Sequence, residues 1–249
     1  MKVTRCRILS LALCLASAPA GWAQSAAPAP ADPRYHAGAL LYADDFSHGL
    51  KDWRIEMERP GAVTVKDGAL DIDVPAGVSL WFNHRLDGPV MISYEATVIV
   101  AGGANDHLRD LNSFWMASDP AAPDDLFAHP RTGAFAGYNA LHLYYVGLGG
   151  NGNTSTRFRR YIGDSVDRPL LPENDLSVAE HPEMGLVANH TQTVTLIAAG
   201  SLIQYWRDGV KIFEMNDPAP YTAGWFAIRT TKNHMRIRNL QITRLVADK

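Results

Sequence analysis

Thr193–Phe213 reads TVTLIAAGSLIQYWRDGVKIF. Three short runs rich in β-branched and aromatic residues, Thr193–Ala198, Ser201–Arg207 and Val210–Phe213, are separated by Ala199-Gly200 and Asp208-Gly209. Such pairs supply the positive φ angles that tight hairpin turns require, so the stretch predicts a meander of three antiparallel strands. The same grammar recurs on either side. Ala62–Lys66 and Ala69–Val74 flank Asp67-Gly68. Met91–Val100 (MISYEATVIV) predicts a longer strand with Ile92, Tyr94, Ala96 and Val98 on one face. Phe114-Trp115-Met116 predicts an apolar strand, and Gly224–Thr230 and Met235–Leu245 predict the closing ones. Helical spacing of apolar residues is nearly absent. Short strands with regularly spaced turn signals indicate an all-β sandwich of two antiparallel sheets, a jelly roll. Prolines avoid these strands and crowd Asp119–Pro130 (Pro120, Pro123, Pro130), which predicts a long loop. A second predicted loop covers Gly163–His190. Loops this long in a domain are more often functional than idle.

The chain ends set the compartment. Met1–Ala23 reads as a secretory signal peptide: Lys2, Arg5 and Arg7 open it, Ile8–Ala18 is apolar, and Gly21-Trp22-Ala23 gives a cleavage site. The apolar run is shorter than the roughly 20 residues that span a bilayer, so no membrane span is expected in the mature chain. Residues 24–34 are a Pro/Ala-rich tether, and 35–249 are expected to form one β domain. Cys6 and Cys14, the two cysteines, both lie in the predicted signal, so the mature chain relies on a core instead of disulfides. Periplasmic or secreted placement follows. A formal net charge of −3 argues against a nucleic-acid partner.

Asp44-Asp45-Phe46 with Trp53 supports two readings. In one, the acids cap a turn while Phe46 and Trp53 enter the core. In the other, they help hold a structural calcium ion.

The chemistry concentrates in Leu141–Tyr161, LHLYYVGLGGNGNTSTRFRRY. Two extended segments flank a Gly/Asn-rich link, which lacks the Lys and helix of a phosphate-binding loop. Period-two alternation separates His142 and Tyr144 from Leu141, Leu143 and Tyr145, and Arg157, Arg159 and Tyr161 from Phe158 and Arg160. If Phe158 joins the leucines in the core, then Arg157, Arg159, Tyr161, His142 and Tyr144 share the other face. Clustered guanidiniums repel one another unless an anion joins them, and their planar forks match a carboxylate. An acidic polysaccharide or oligosaccharide is the natural partner. β-Elimination at a uronic acid uses this set. Arg157 and Arg159 would pair the carboxylate and stabilise the enolate-like charge, while His142 and Tyr144 move the protons. No cofactor is required.

Further candidates for the sugar subsites are Arg109 and Asn112 after a glycine turn, His84 among aromatics, and the group Arg229, Asn233 and His234. Asn233-His234 is expected to begin a turn into the last strand. Two other classes remain open. A glycoside hydrolase on this fold would use a close pair of carboxylates, and the E-x-D-x-E pattern is absent, leaving loop acids such as Asp106, Asp110, Asp124 and Asp125. A non-catalytic carbohydrate-binding protein would need only the basic, ring-lined face. The chain has no Gly-x-Ser-x-Gly elbow and no H-E-x-x-H zinc motif.

Asn139-Ala140-Leu141-His142-Leu143, downstream of Asp125-Leu126-Phe127 and Arg131-Thr132-Gly133, resembles the YesU-like proteins, and Tyr221–Arg229 (YTAGWFAIR) and Asn239-Leu240 are similar too. The resemblance runs from about Leu41 onward. It implies a concanavalin-like jelly roll and a place in bacterial pectin (rhamnogalacturonan) utilisation. The Gly/Asn link and FRRY depart from that pattern, so the substrate is open to differ.

Overall fold

The computed structural model describes residues 32–164, 167–170 and 172–248; the predicted signal peptide and all of the tether before Asp32 lie outside the described residues. Two antiparallel sheets pack face to face. The first runs β14 (Val210–Asn216), β13 (Leu202–Arg207), β12 (Thr191–Ala199), β7 (Val90–Val98), β16 (Asn233–Ala247), β4 (Ala69–Val74), β3 (Ala62–Lys66), with β1 (Tyr35–Asp44) paired to the distal half of β16. The second runs β11 (Asp175–Ser177), β10 (Ser155–Ile162), β9 (His142–Gly149), β8 (Leu111–Ser118), β15 (Ala223–Thr230), β5 (Val78–Phe82), β2 (Trp53–Met57), with β6 (Leu86–Asp87) on β15. The 193–213 meander is β12–β13–β14, as its turn pairs require.

The core lies between the sheets. Ile92, Tyr94, Ala96 and Val98 point inward from β7 and meet Trp115, Tyr144, Val146 and Phe226 of the second sheet's inner face in one buried cluster. Each large apolar side chain removed from water in this way stabilises the fold by about 1.5–3 kcal/mol. A bulge at Met116, which takes φ 52°, shifts the register of β8 against both β9 and β15 and bends the sheet. Gly224 sits against that bulge, where a Cβ would overlap the backbone of Met116.

The outer face of the second sheet is apolar as well. Trp81, Phe114, Leu143, Tyr161 and Trp225 form a separate buried cluster with Leu126 and Tyr138 of the 119–141 loop, which folds over them. Arg131 holds this loop down. Its side chain and that of Glu56 are nearly buried and 3.1 Å apart. Glu56 also accepts the indole N–H of Trp81 (2.9 Å), and Arg131 donates to the Leu126 carbonyl (2.8 Å).

Several local expectations change. Asn233 and His234 lie inside β16, paired with Val74 and Asp73. The expected 163–190 loop contributes the edge strand β11. Asp32, expected in the tether, is buried and accepts hydrogen bonds from Arg34 and Gln204. Asp44 accepts the Phe46 amide (2.7 Å) and the Trp53 indole N–H (2.7 Å), with both rings buried. This is the turn-capping arrangement. Each of its two oxygens faces an N–H donor.

Candidate functional site

Strand register decides which side chains share the cleft. Phe158 pairs with Val146, Arg159 with Tyr145 and Arg160 with Tyr144. Phe158 therefore joins Tyr144 and Val146 in the inter-sheet core, while Arg157, Arg159 and Tyr161 lie on the outer face with Leu143 and Tyr145. This corrects the expected grouping. Both faces of β9 are apolar, because the 119–141 loop turns part of the outer face into a second core.

The outer face carries one continuous cross-strand row: Asp175, Arg157, Gly147, Asn112, Arg229, Ser79, Glu56. Its middle forms the floor of a cleft of about 280 Å³. Among the described residues, five guanidiniums line it, those of Arg109, Arg157, Arg159, Arg168 and Arg229, with Asp110 the one carboxylate. Asp110 is already engaged, accepting from Arg109 Nε (2.7 Å) and the Thr231 hydroxyl (2.6 Å). Arg157 pairs with Asp175 at 2.7 Å. Arg159, Arg168 and Arg229 form no ion pair with a carboxylate among the described residues. Arg159 donates to the Arg168 carbonyl (2.8 Å). Arg229 is only 2% exposed, its guanidinium lies 4.5 Å from the Phe135 ring centre, and its Nε has no hydrogen-bond partner among the described residues. The side-chain oxygen of Asn112 is likewise buried and without a partner among the described residues. A buried, incompletely paired cation is costly, and an anionic ligand would offset that cost.

Tyr145 supplies the hydroxyl. Gly147, two residues on and on the same face, leaves room for it; a Cβ there would overlap the phenol oxygen. That oxygen forms no hydrogen bond among the described residues. Burial pushes the Tyr145 phenol above its ordinary pKa, and neighbouring Tyr161 adds to this, while Arg229 and Arg159 pull the other way.

Of the sequence-derived candidates, the cleft unites Arg109, Asn112, Arg157, Arg159 and Arg229. The others lie elsewhere. Tyr144 is fully buried on the opposite face, donating to Asp217 (2.6 Å); burial first, then that carboxylate, raises its pKa. His142 sits at the strand end, bonded to the Ile162 carbonyl (3.1 Å) and stacked on Tyr221. Tyr161 is on the cleft's face but fully buried. His84 pairs with Asp52 and stacks on Tyr42. His234, in β16 of the first sheet, bridges Asp71 of β4 and Asp106 of the β7–β8 connection. Asn233 acts from behind, its amide donating to the Arg109 carbonyl. Sequence reasoning missed Tyr145, Arg168 and Phe135. Only the Gly at 147, two residues from Tyr145, marked a place where a ring could lie flat.

Residues 72–240 match the family described as "Domain of unknown function (DUF6250)". The chain belongs to this family. No curated protein matches the DUF6250 chain. Solved structures resemble it in fold. A Bacillus subtilis protein described as of unknown function with a galectin-like fold superposes with a TM-score of 0.67 at 17% identity, over 86% of this chain and all of its own. An endo-β-1,3-glucanase from Pyrococcus furiosus gives 0.56 at 9% identity, over 86% of this chain and 96% of its own. A carbohydrate-binding module, CBM66, from Bacillus subtilis gives 0.51 at 9% identity, over 77% and 95%. At these identities the DUF6250 domain shares with them its jelly-roll architecture.

Proposed function

We propose that the protein acts on carbohydrate, that its cleft takes an acidic saccharide, and that the chemistry the cleft supports is β-elimination at a uronate. The supporting observation is the excess of guanidinium over carboxylate: three of the five lining arginines have no acidic partner among the described residues. Neighbours of the same fold that are described as a glucanase and a carbohydrate-binding module make a saccharide the fitting ligand class. The resemblance to YesU-like proteins suggests plant polysaccharide, and the expected signal peptide suggests action in the periplasm or outside the cell.

In this reading Arg159 and Arg229 clamp the uronate carboxylate, and the enolate-like charge that develops on it is held by those fixed cations and by the Asn112 amide. Tyr145 is the lining group free to exchange a proton. As the phenolate, the form that the Arg229 and Arg159 charges favour, it takes the C5 proton and returns it to the leaving oxygen as the C4–O bond breaks, which leaves a C4–C5 double bond. Two-carboxylate hydrolysis is the weaker option, because Asp110 is the one acid among the described lining residues and is tied to Arg109 and Thr231. A purely binding role is the second reading. It is favoured by the burial that pushes the Tyr145 phenol above its ordinary pKa.

Incubation with pectins, ulvan, alginate and glucuronan tests these readings. Ultraviolet absorbance of an unsaturated uronate, lost by about 100-fold or more in Tyr145→Phe with saccharide binding retained, is the expected result. New reducing ends without that absorbance would mean hydrolysis. Retardation in a gel of the polymer, with neither product, would leave the binding role.

A further inference from the structure

We propose that the cleft is closed at one end, so that it receives the terminus of an acidic glycan with the anionic unit innermost and a neutral unit behind it. This inference rests on the acidic-saccharide reading above and adds how the chain enters and what it carries.

On an open sandwich face the floor row would continue across the sheet. Here it stops after Arg229. The next positions, Ser79 and Glu56, are buried beneath the 119–141 loop. Gly133 is the seal. It takes φ 84°, and a Cβ on it would stand 2.7 Å from the Glu56 carbonyl oxygen and from the Glu58 amide nitrogen, so the loop backbone lies directly on β2. Its carbonyl also faces the Arg229 guanidinium at 3.4 Å. Alongside, Phe135 packs on Tyr145 with ring centres 5.4 Å apart, and Arg168 covers Phe135. A sugar polymer therefore has no exit past Arg229.

The other end is open. Beyond Arg157 a second depression of about 440 Å³ runs over β10 and β11, lined by Asn151, Thr154, Ser155, Arg157, Asp175 and Ser177. Asn151, Ser155 and Arg157 line both compartments, so the two are continuous. Their charges differ. In the outer compartment Arg157 and Asp175 neutralise each other, and the rest are hydroxyls and an amide. The inner compartment holds Arg159, Arg168 and Arg229. A glycan whose end unit bears the carboxylate and whose next unit offers only hydroxyls matches both. A run of consecutive uronates would place its second carboxylate beside Asp175.

Calorimetric titration with saccharides prepared from ulvan and rhamnogalacturonan tests this. Trisaccharides with a uronate at an end should bind at least about tenfold tighter than those with the uronate only in the middle. Affinity should level off, with tetrasaccharide and octasaccharide within about twofold. Phe135→Ala, which thins the wall, should narrow the gap between end and middle placement. Equal binding of the two trisaccharides, or affinity that climbs steadily to the octasaccharide, would overturn the closed-end inference and leave the acidic-saccharide reading standing. Binding of neutral saccharides with none of the acidic ones would overturn both.

Discussion

Arg229 shows how much stability a single side chain can forgo for a ligand. It is buried in a strand and stacked on Phe135, and among the described residues one of its donors is unpartnered and it pairs with no carboxylate. An apolar side chain of similar length would suit that position better when the protein is empty. Arg229→Met should therefore raise stability to denaturant by about 1 kcal/mol while acidic saccharide binding is lost. Paired urea melts and titrations check both. A variant that loses stability and keeps binding would contradict the role assigned to it. From sequence, Arg229 was legible as a candidate because its strand neighbours are so apolar. Tyr144 and Tyr145 were not separable in this way. Adjacent tyrosines on a strand with two apolar faces give no hint of which ring enters the core; that depends on Phe158 pairing with Val146, a long-range register.

Among elements, the 119–141 loop matters most. The proline cluster at its start marked it as a long loop, but its docking on Glu56 joins residues 75 apart in the chain. Gly133 is where the fit is tightest. Gly133→Ala should cost about 1–3 kcal/mol through the forced positive φ and the clash with β2, and should loosen the loop more than the sheets. Hydrogen exchange resolved along the chain would show the change confined to the loop and its footing. A second fastening joins the β14–β15 connection to the second sheet. Asp217 accepts from the Tyr144 hydroxyl (2.6 Å) and Arg160 Nε (2.7 Å). Burial alone would raise its pKa, but those two donors hold it below the ordinary carboxylate value. Because the folded-state value is the lower one, this contribution is complete above an ordinary carboxylate pKa of about 4 and is lost as pH falls through the folded value. Asp217→Asn should cost about 3 kcal/mol at neutral pH and should flatten the decline in stability toward acid, as denaturation at pH values on either side of that range would reveal.

For the molecule as a whole, sign and shape act together. The chain is formally −3, yet its cleft is strongly cationic. Affinity for an acidic saccharide should fall about tenfold as ionic strength rises toward 1 M, where screening acts over about 3 Å, and a methyl-esterified analogue should show no such loss. Titration across a salt series measures both. The jelly roll was readable at this scale because β12–β13–β14 and β3–β4 announce themselves locally through alternation and the turn pairs Ala199-Gly200, Asp208-Gly209 and Asp67-Gly68. The cleft was only half readable, since Arg168 and Phe135 come from irregular segments with no periodic signal. The floor and its cap are thus contributed by separate stretches of chain. A relative with a trimmed 119–141 segment would keep the same sheet and the same charges but present a through-channel, so that cutting or gripping in mid-polymer, instead of nibbling from a tip, would turn on the length of one insertion.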